Sequence, residues 1–279
     1  MTPDSTGRSL DGSSNGNGGA LSARFGSMEQ ARADAASRAQ RVALAAEGPA
    51  LASASGVAQA PATKSRHALP HYTLGEEIAN SVTHGIGVLL GITALVIMSV
   101  KAAVAGQHPA SLASALVFGI ALILEYLAST LYHAIAPERA KRVFRIIDHS
   151  FIYVLIAGSY TPFCLVTLSN DGGVPLCIAV WVLAVAGILF EAFMRERQPR
   201  WLTVTIYLIM GWLVVFRLPQ LIALLDPTAL ALLAAGGICY TIGTVFYVLK
   251  KVRYMHSIFH VWVLAGSVLQ FLAVVLFVI

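Results

Sequence analysis

The order of apolar and polar residues divides the chain near position 70. From Met1 to about Pro70, Gly, Ala, Ser and Asn dominate and no long apolar run forms. From about Ser81 to Ile279 the sequence is apolar with brief polar breaks. A helix crossing about 30 Å of hydrocarbon needs roughly 20 mostly apolar residues. Seven runs reach that length: Val82 to Ala105, Ser111 to Ile135, Ile146 to Leu168, Val174 to Met194, Leu202 to Leu221, Ala229 to Leu249 and Met255 to Ile279. Turn-forming or charged residues separate them, at Gly106 to Pro109, Pro137 to Arg145, Asn170 to Gly173, Arg195 to Arg200, Asp226-Pro227 and Lys250 to Arg253. No run alternates residue by residue, which removes the closed β-barrel, the other structure that satisfies its own backbone in lipid. The pattern predicts an all-α membrane protein. Its seven-transmembrane helix bundle would occupy residues 71–279, after a disordered, low-complexity N-terminal tail over residues 1–70.

The tail contains stretches such as Ser9 to Gly19 that cannot bury enough apolar surface to offset the entropy of ordering them. Met28 to Ala46 is rich in Ala, Arg and Gln, which favour a helix, but it lacks an apolar face and predicts only a transient one. No apolar h-region stands near Met1, so the first span is expected to act as the targeting signal into the inner (plasma) membrane.

Charge adds orientation. Basic residues gather in three loops: Arg139, Lys141, Arg142 and Arg145; Arg195, Arg197 and Arg200; Lys250, Lys251 and Arg253. Seven crossings place these loops on one side with the tail, and leave Lys101 and Arg217 on the other, ten against two. Cytoplasmic loops carry the excess of Lys and Arg, so the N-terminus is expected in the cytoplasm and Ile279 outside. The apolar fraction of 57% and charged fraction of 12% agree with a membrane domain. The formal net charge of +5 is accounted for by loops beside anionic headgroups, and membrane lipids are the expected partners. A nucleic-acid interface would need a basic patch interleaved with aromatics in a soluble domain, and none is present. Cys164, Cys177 and Cys239 are odd in number, lack C-x-x-C spacing and read as packing residues.

Ionisable residues inside spans are costly and mark functional sites by default. Here they share a depth. Glu77, Asn80 and His84 lead in the first span on one face; Glu125, Ser129 and His133 close the second at steps of four. Asp148 and His149 open the third, and His256 and His260 share a face at the start of the seventh. On the expected topology all of these face one layer near the inner membrane surface. Imidazoles gathered beside a carboxylate suggest zinc, which takes neutral His nitrogen and in open sites keeps a place for water. Such a metal lowers the pKa of that water to about 7, and Asp148 is placed to accept its proton. Interhelical hydrogen bonding is the alternative use of the same side chains. His149, rotated about 100° from Asp148 on a helix, is expected to face a neighbouring helix. Glu125, two turns deeper than His133, is expected to be protonated or hydrogen-bonded in a polar cavity. Gly158, Ser159 and Pro162 are expected to shape packing or a kink.

The segments Glu77 to Gly91, Ser129 to His133 (STLYH), Arg145 to Phe163 and His256 to His260 (HSIFH) resemble the hemolysin III proteins. Those are the bacterial branch of the progestin and adipoQ receptor family, which includes the adiponectin receptors. The resemblance runs from about Leu74 to Ile279 and leaves the tail uncovered. It implies a seven-helix domain with its N-terminus inside and a zinc ion near the cytoplasmic face. By the family's pattern His133, His256 and His260 ligate the metal, Asp148 touches the metal-bound water and Ser129 lines the site; all five positions match. Glu77, Asn80 and His84 fit the family's lead-in, either orienting a ligand or packing helices.

The expected function is zinc-dependent hydrolysis of a lipid amide or ester, a ceramidase-like activity with Asp148 and Ser129 in catalytic roles and the acyl chain between helices. Two alternatives stand beside it. One is the cytolytic, pore-forming activity of the family name, which seven continuous apolar spans support poorly. The other is a receptor-like regulator of membrane lipid composition with structural zinc.

Overall fold

The computed structural model of the protein describes residues 30–42, 69–105, 109–194, 199–249 and 252–279. Two compact units divide it, Met1–Lys64 and Ser65–Ile279. In the first, residues 30–42 form a helix, α1, with every position exposed. It lies in the Ala-rich window whose composition favours one. The rest of the expected disordered tail, apart from residues 69 and 70, lies outside the described residues.

The second unit is helical. Its elements are α2 (Leu74–Val104), α3 (Pro109–Ala134), α4 (Glu138–Pro162), α5 (Gly173–Met194), α6 (Arg200–Trp212), α7 (Leu218–Leu224), α8 (Pro227–Val248) and α9 (Met255–Phe277). Counting α6 and α7 as one crossing, seven helical segments among the described residues are long and apolar enough to span a membrane. Leu, Ile and Val on the outer faces of α2, α5 and α8 are exposed, as a lipid-facing surface requires. Neighbours pack closely in the order α2–α3–α4–α5, with α8 on α9 and α9 back on α2. Small residues permit this approach. A Cβ added at Gly158 would come within 2.6 Å of the Ala121 methyl, and one at Gly187 within 2.4 Å of the Tyr153 ring.

Three boundaries differ from the hydropathy reading. α2 begins at Leu74, well before Val82, because Thr73 and Glu76 close a capping box ahead of the apolar run. α4 begins at Glu138, inside the segment expected to be a polar break. Glu, Arg and Lys are good helix formers, and Glu138 pairs with Arg142 across one turn at 3.1 Å. Hydropathy marks the lipid boundary, and the helix continues past it. The fifth span, expected as one helix, breaks into α6, a 3₁₀ turn over Leu213–Arg217, and α7. The Tyr160 hydroxyl from α4 fills the break, donating to the carbonyls of Gly211 (2.7 Å) and Met210 (3.1 Å) and accepting the Val214 N–H (2.9 Å). Beyond Pro162, α4 widens into a single π turn over Phe163–Thr167, the distortion expected of the Gly158 to Pro162 group.

One contact sets the register of α2 against α9. The Glu76 carboxylate accepts from the Thr73 N–H and hydroxyl, both at 2.8 Å, and from the Tyr254 N–H at 3.0 Å. Tyr254 holds a left-handed backbone, φ 62°, immediately before α9. The first turns of α2 and α9 are thereby tied together, which brings Asn80 beside His260.

Candidate metal centre

His133 near the end of α3 and His256 and His260 at the start of α9 converge in the core. Each offers a ring nitrogen, and the three nitrogens lie within 4.8 Å of one another. All three side chains are buried. The rings are edge-on or tilted to each other, with centroids 4.5–5.3 Å apart. Tyr72 stacks on His256 and meets His133 edge-on, covering the group on one side.

The protons of this cluster are set by α2. His133 Nδ1 lies 2.7 Å from Glu77 Oε2, while the other Glu77 oxygen pairs with Lys141 Nζ at 2.6 Å. A carboxylate held by a lysine only accepts, so His133 carries its hydrogen on Nδ1 and presents the Nε2 lone pair. Asn80 Nδ2 also approaches His133 Nδ1, at 3.4 Å, and the shorter contact governs. That Nε2 is buried and has no hydrogen-bond partner among the described residues. His260 Nδ1 lies 3.2 Å from the carbonyl oxygen of Asn80 and 3.2 Å from the Thr83 hydroxyl. A carbonyl accepts, so His260 also turns an Nε2 lone pair inward. That atom faces His256 Nε2 at 3.2 Å, a separation that needs a proton or a cation between the two. Ser257 next to His256 donates to Asn80 Oδ1 at 2.6 Å, fixing the amide's orientation.

The donor set fits zinc: three converging imidazoles, with the second ring nitrogens of His133 and His260 oriented by a carboxylate and a carbonyl. His133, His256 and His260 would hold the ion. Glu77 and Asn80, left between ligand orientation and helix packing by the sequence, touch the ligands directly. The third member of that trio, His84, does not join the ligand group. Its ring stacks on His260 with centroids 3.6 Å apart and meets Tyr126 edge-on, and neither nitrogen has a partner among the described residues.

Asp148 is buried, nearly three turns into α4 because that helix starts early. Ser129 is buried on α3, one turn before His133, and its hydroxyl has no partner among the described residues. His149 faces another helix as expected, pairing with Glu191 of α5 at 3.1 Å; its backbone carbonyl accepts from the Tyr207 hydroxyl at 2.7 Å. Glu125 is buried with Oε2 unpartnered among the described residues. The sequence reading passed over Thr83, Lys141, Glu191 and Ser257. Glu191 carried a usable signal, a carboxylate inside an apolar run. Thr83 and Ser257 carried a fainter one, each a short polar residue in the same helical turn as Asn80 or His256.

A cavity lies behind the histidines, lined by His84, Glu125, Tyr207, Tyr240, Tyr247 and Phe259 among others, with about 940 Å³ of empty space, part of it open to the outside. It begins one ring away from the ligands, since His84 stacks on His260, and Phe259 stacks on His256 with centroids 5.6 Å apart. A second cavity, with about 900 Å³ of empty space that is also partly open to the outside, shares Ser159, Tyr160, Gly211, Trp212, Gly237 and Gln270 with the first, and Leu168, Leu176, Leu221 and Leu230 are among its own lining residues.

Fold and site define a multi-pass integral membrane protein whose seven spans enclose a buried three-histidine group able to hold a metal ion. Comparison with known proteins makes this more specific. Residues 72–271 match the family described as haemolysin-III related, and the chain belongs to that family. It is 45% identical over 206 residues to the hemolysin-3 homolog of Bacillus subtilis (strain 168), covering 74% of this chain and 96% of that protein. Hemolysin-3 of Bacillus cereus is 42% identical over 204 residues, covering 73% and 92% respectively. The human monocyte to macrophage differentiation factor is more distant, 23% identical over 169 residues, 58% of this chain and 68% of that one.

Proposed function

We propose that this protein is a zinc-dependent hydrolase of amide or ester bonds in membrane lipids. The observation that carries the reading is the three-histidine group, with inward lone pairs on His133 and His260, standing one ring away from a largely apolar cavity. Zinc bound there would acidify a water molecule to a pKa of about 7. Asp148 would accept that water's proton, and Ser129, whose hydroxyl has no partner among the described residues, would hold a polar atom of the substrate. The acyl chain lies in the cavity behind His84, with its reacting carbonyl toward the histidines and their water. The excess of basic residues in the loops at this end of the bundle supports a cytoplasmic position for it, with lipid headgroups beside it.

The test uses purified, zinc-loaded protein in bilayers made from a total lipid extract of the host. Fatty acid should be released, and His260→Ala should abolish release together with zinc binding. Asp148→Asn should slow release and keep the metal. The printed name of the Bacillus cereus relative motivates a second reading, a lytic pore, which predicts leakage of trapped dye with no new lipid product. Leakage without turnover would replace the hydrolase with the pore. Neither turnover nor leakage would leave a receptor-like role with structural zinc.

A further inference from the structure

The two cavities meet at a waist formed by Ser159, Tyr160, Gly211, Trp212, Gly237 and Gln270. Most of the hydroxyl and indole hydrogens here are already committed. Ser159 donates to the Ile156 carbonyl at 2.8 Å, and Tyr160 to Gly211 at 2.7 Å. Trp212 donates to the Thr241 hydroxyl at 3.1 Å, and Thr241 in turn to the Gly237 carbonyl at 2.8 Å. What remains is an acceptor. Gln270 is 8% exposed, and its Oε1 has no hydrogen-bond partner among the described residues. Gly236 makes room for this side chain, since a Cβ there would come within 3.0 Å of Gln270 Cγ and 3.1 Å of the Gly266 carbonyl. A buried acceptor with no donor among the described residues is costly, and it sits where the two largely apolar cavities share their lining.

We propose that the waist recognises a hydroxyl group carried partway along an acyl chain, with Gln270 accepting its hydrogen bond. The chain's end occupies the lobe bounded by Leu168, Leu176 and Leu221. The position of the hydroxyl rests on the hydrolase reading, which puts the scissile carbonyl at the histidines. Gln270 lies ten residues beyond His260 on α9, about 15 Å along the axis. With C–C bonds of about 1.5 Å in a zigzag, that span is roughly twelve carbons. The substrate class narrows to lipids whose acyl chain bears a mid-chain alcohol. A ketone at the same carbon can meet only the Nε2 hydrogens of Gln270 and, like a plain methylene, would leave Oε1 unsatisfied.

The experiment is competition against a fluorescent octadecanoate on the full-length, zinc-loaded protein in lipid nanodiscs. Four probes are compared: octadecanoate, its analogue with a hydroxyl on the twelfth carbon, the ketone at that carbon, and the isomer with the hydroxyl on the second carbon. A site built around a hydrogen bond discriminates strongly against ligands that lack it, so the mid-chain alcohol should bind about tenfold tighter than the other three. Gln270→Met should erase that preference, with plain octadecanoate binding at least as tightly as the alcohol, and the thermal unfolding midpoint of the variant reports whether the fold is intact. Equal binding of all four probes to the wild type overturns the proposal, and so does a preference that survives in Gln270→Met. If that variant does not fold, the wild-type ranking alone decides. The two readings fail separately. Preference without release of fatty acid from any lipid removes the hydrolase and keeps the waist, whereas turnover without preference removes the waist alone.

Discussion

Glu77→Ala isolates the role of α2 in tuning the histidine cluster. Glu77 holds His133 Nδ1 at 2.7 Å and is itself held by Lys141 at 2.6 Å. Its removal leaves His133 free to choose the other tautomer, which would put a hydrogen where a lone pair is needed. It also withdraws a negative charge that makes the imidazole a better donor. Loss of such an outer partner typically lowers metal affinity about 10–100-fold, or about 1.4–2.7 kcal/mol. Glu77→Gln should fall between this variant and the wild type, because an amide oxygen still accepts from Nδ1 but carries no charge. Lys141→Met should cost less than either, since the carboxylate stays in place. The assay is zinc retention against a graded chelator series on purified protein. Equal retention by Glu77→Ala and wild type would refute the tautomer argument, and a larger loss in Lys141→Met than in Glu77→Gln would refute its order.

His133→Ala, His256→Ala and His260→Ala should each lose zinc, measured by metal analysis, while His149→Ala should retain it and instead lower thermal stability by removing an ion-pair partner of the buried Glu191. Tyr160→Phe should lower stability by about 1–3 kcal/mol, read as a lower midpoint of thermal unfolding in detergent, because the freed groups of the α6 break lose their partner. Fatty-acid release should decline as pH falls below about 7, the range in which a zinc-bound water gains its proton; a flat profile from pH 5 to pH 8 would contradict that chemistry. Reporters fused at Arg142 and at Ile279 should give opposite-side signals, since five crossings separate them; matching signals would refute the crossing count.

The seven spans were legible because hydrocarbon thickness imposes a length on any apolar run. The helix starts were not, since Thr73 with Glu76, and Glu138 with Arg142, build helix in water where hydropathy is silent. The break after Trp212 was hidden for another reason. It depends on Tyr160, some fifty residues away, and no local pattern in the fifth span announces it. Spacing on helix faces brought out the cluster at one end of the bundle, and the family resemblance named His133, His256 and His260 within it. The outer partners were half visible: Glu77 and Asn80 stood on the right face, whereas Lys141, which reaches Glu77 from the first turn of α4, lay in a segment that read only as positive charge. Gln270 escaped notice because one amide in an apolar span has no periodicity to mark it.

The tyrosine in the α6 break also governs how the protein can move. An interrupted helix in a membrane is usually a place to bend, since its loose carbonyls and N–H groups can trade partners. Here one phenol oxygen engages three of them at once. Straightening or further folding of the span would strand that oxygen, and the groups it serves, where no water can replace them. The fifth crossing therefore behaves as a welded elbow with a fixed angle. The throat beside it keeps a constant bore, and any widening of the opening the cavity already has must come from other helices moving at the rim.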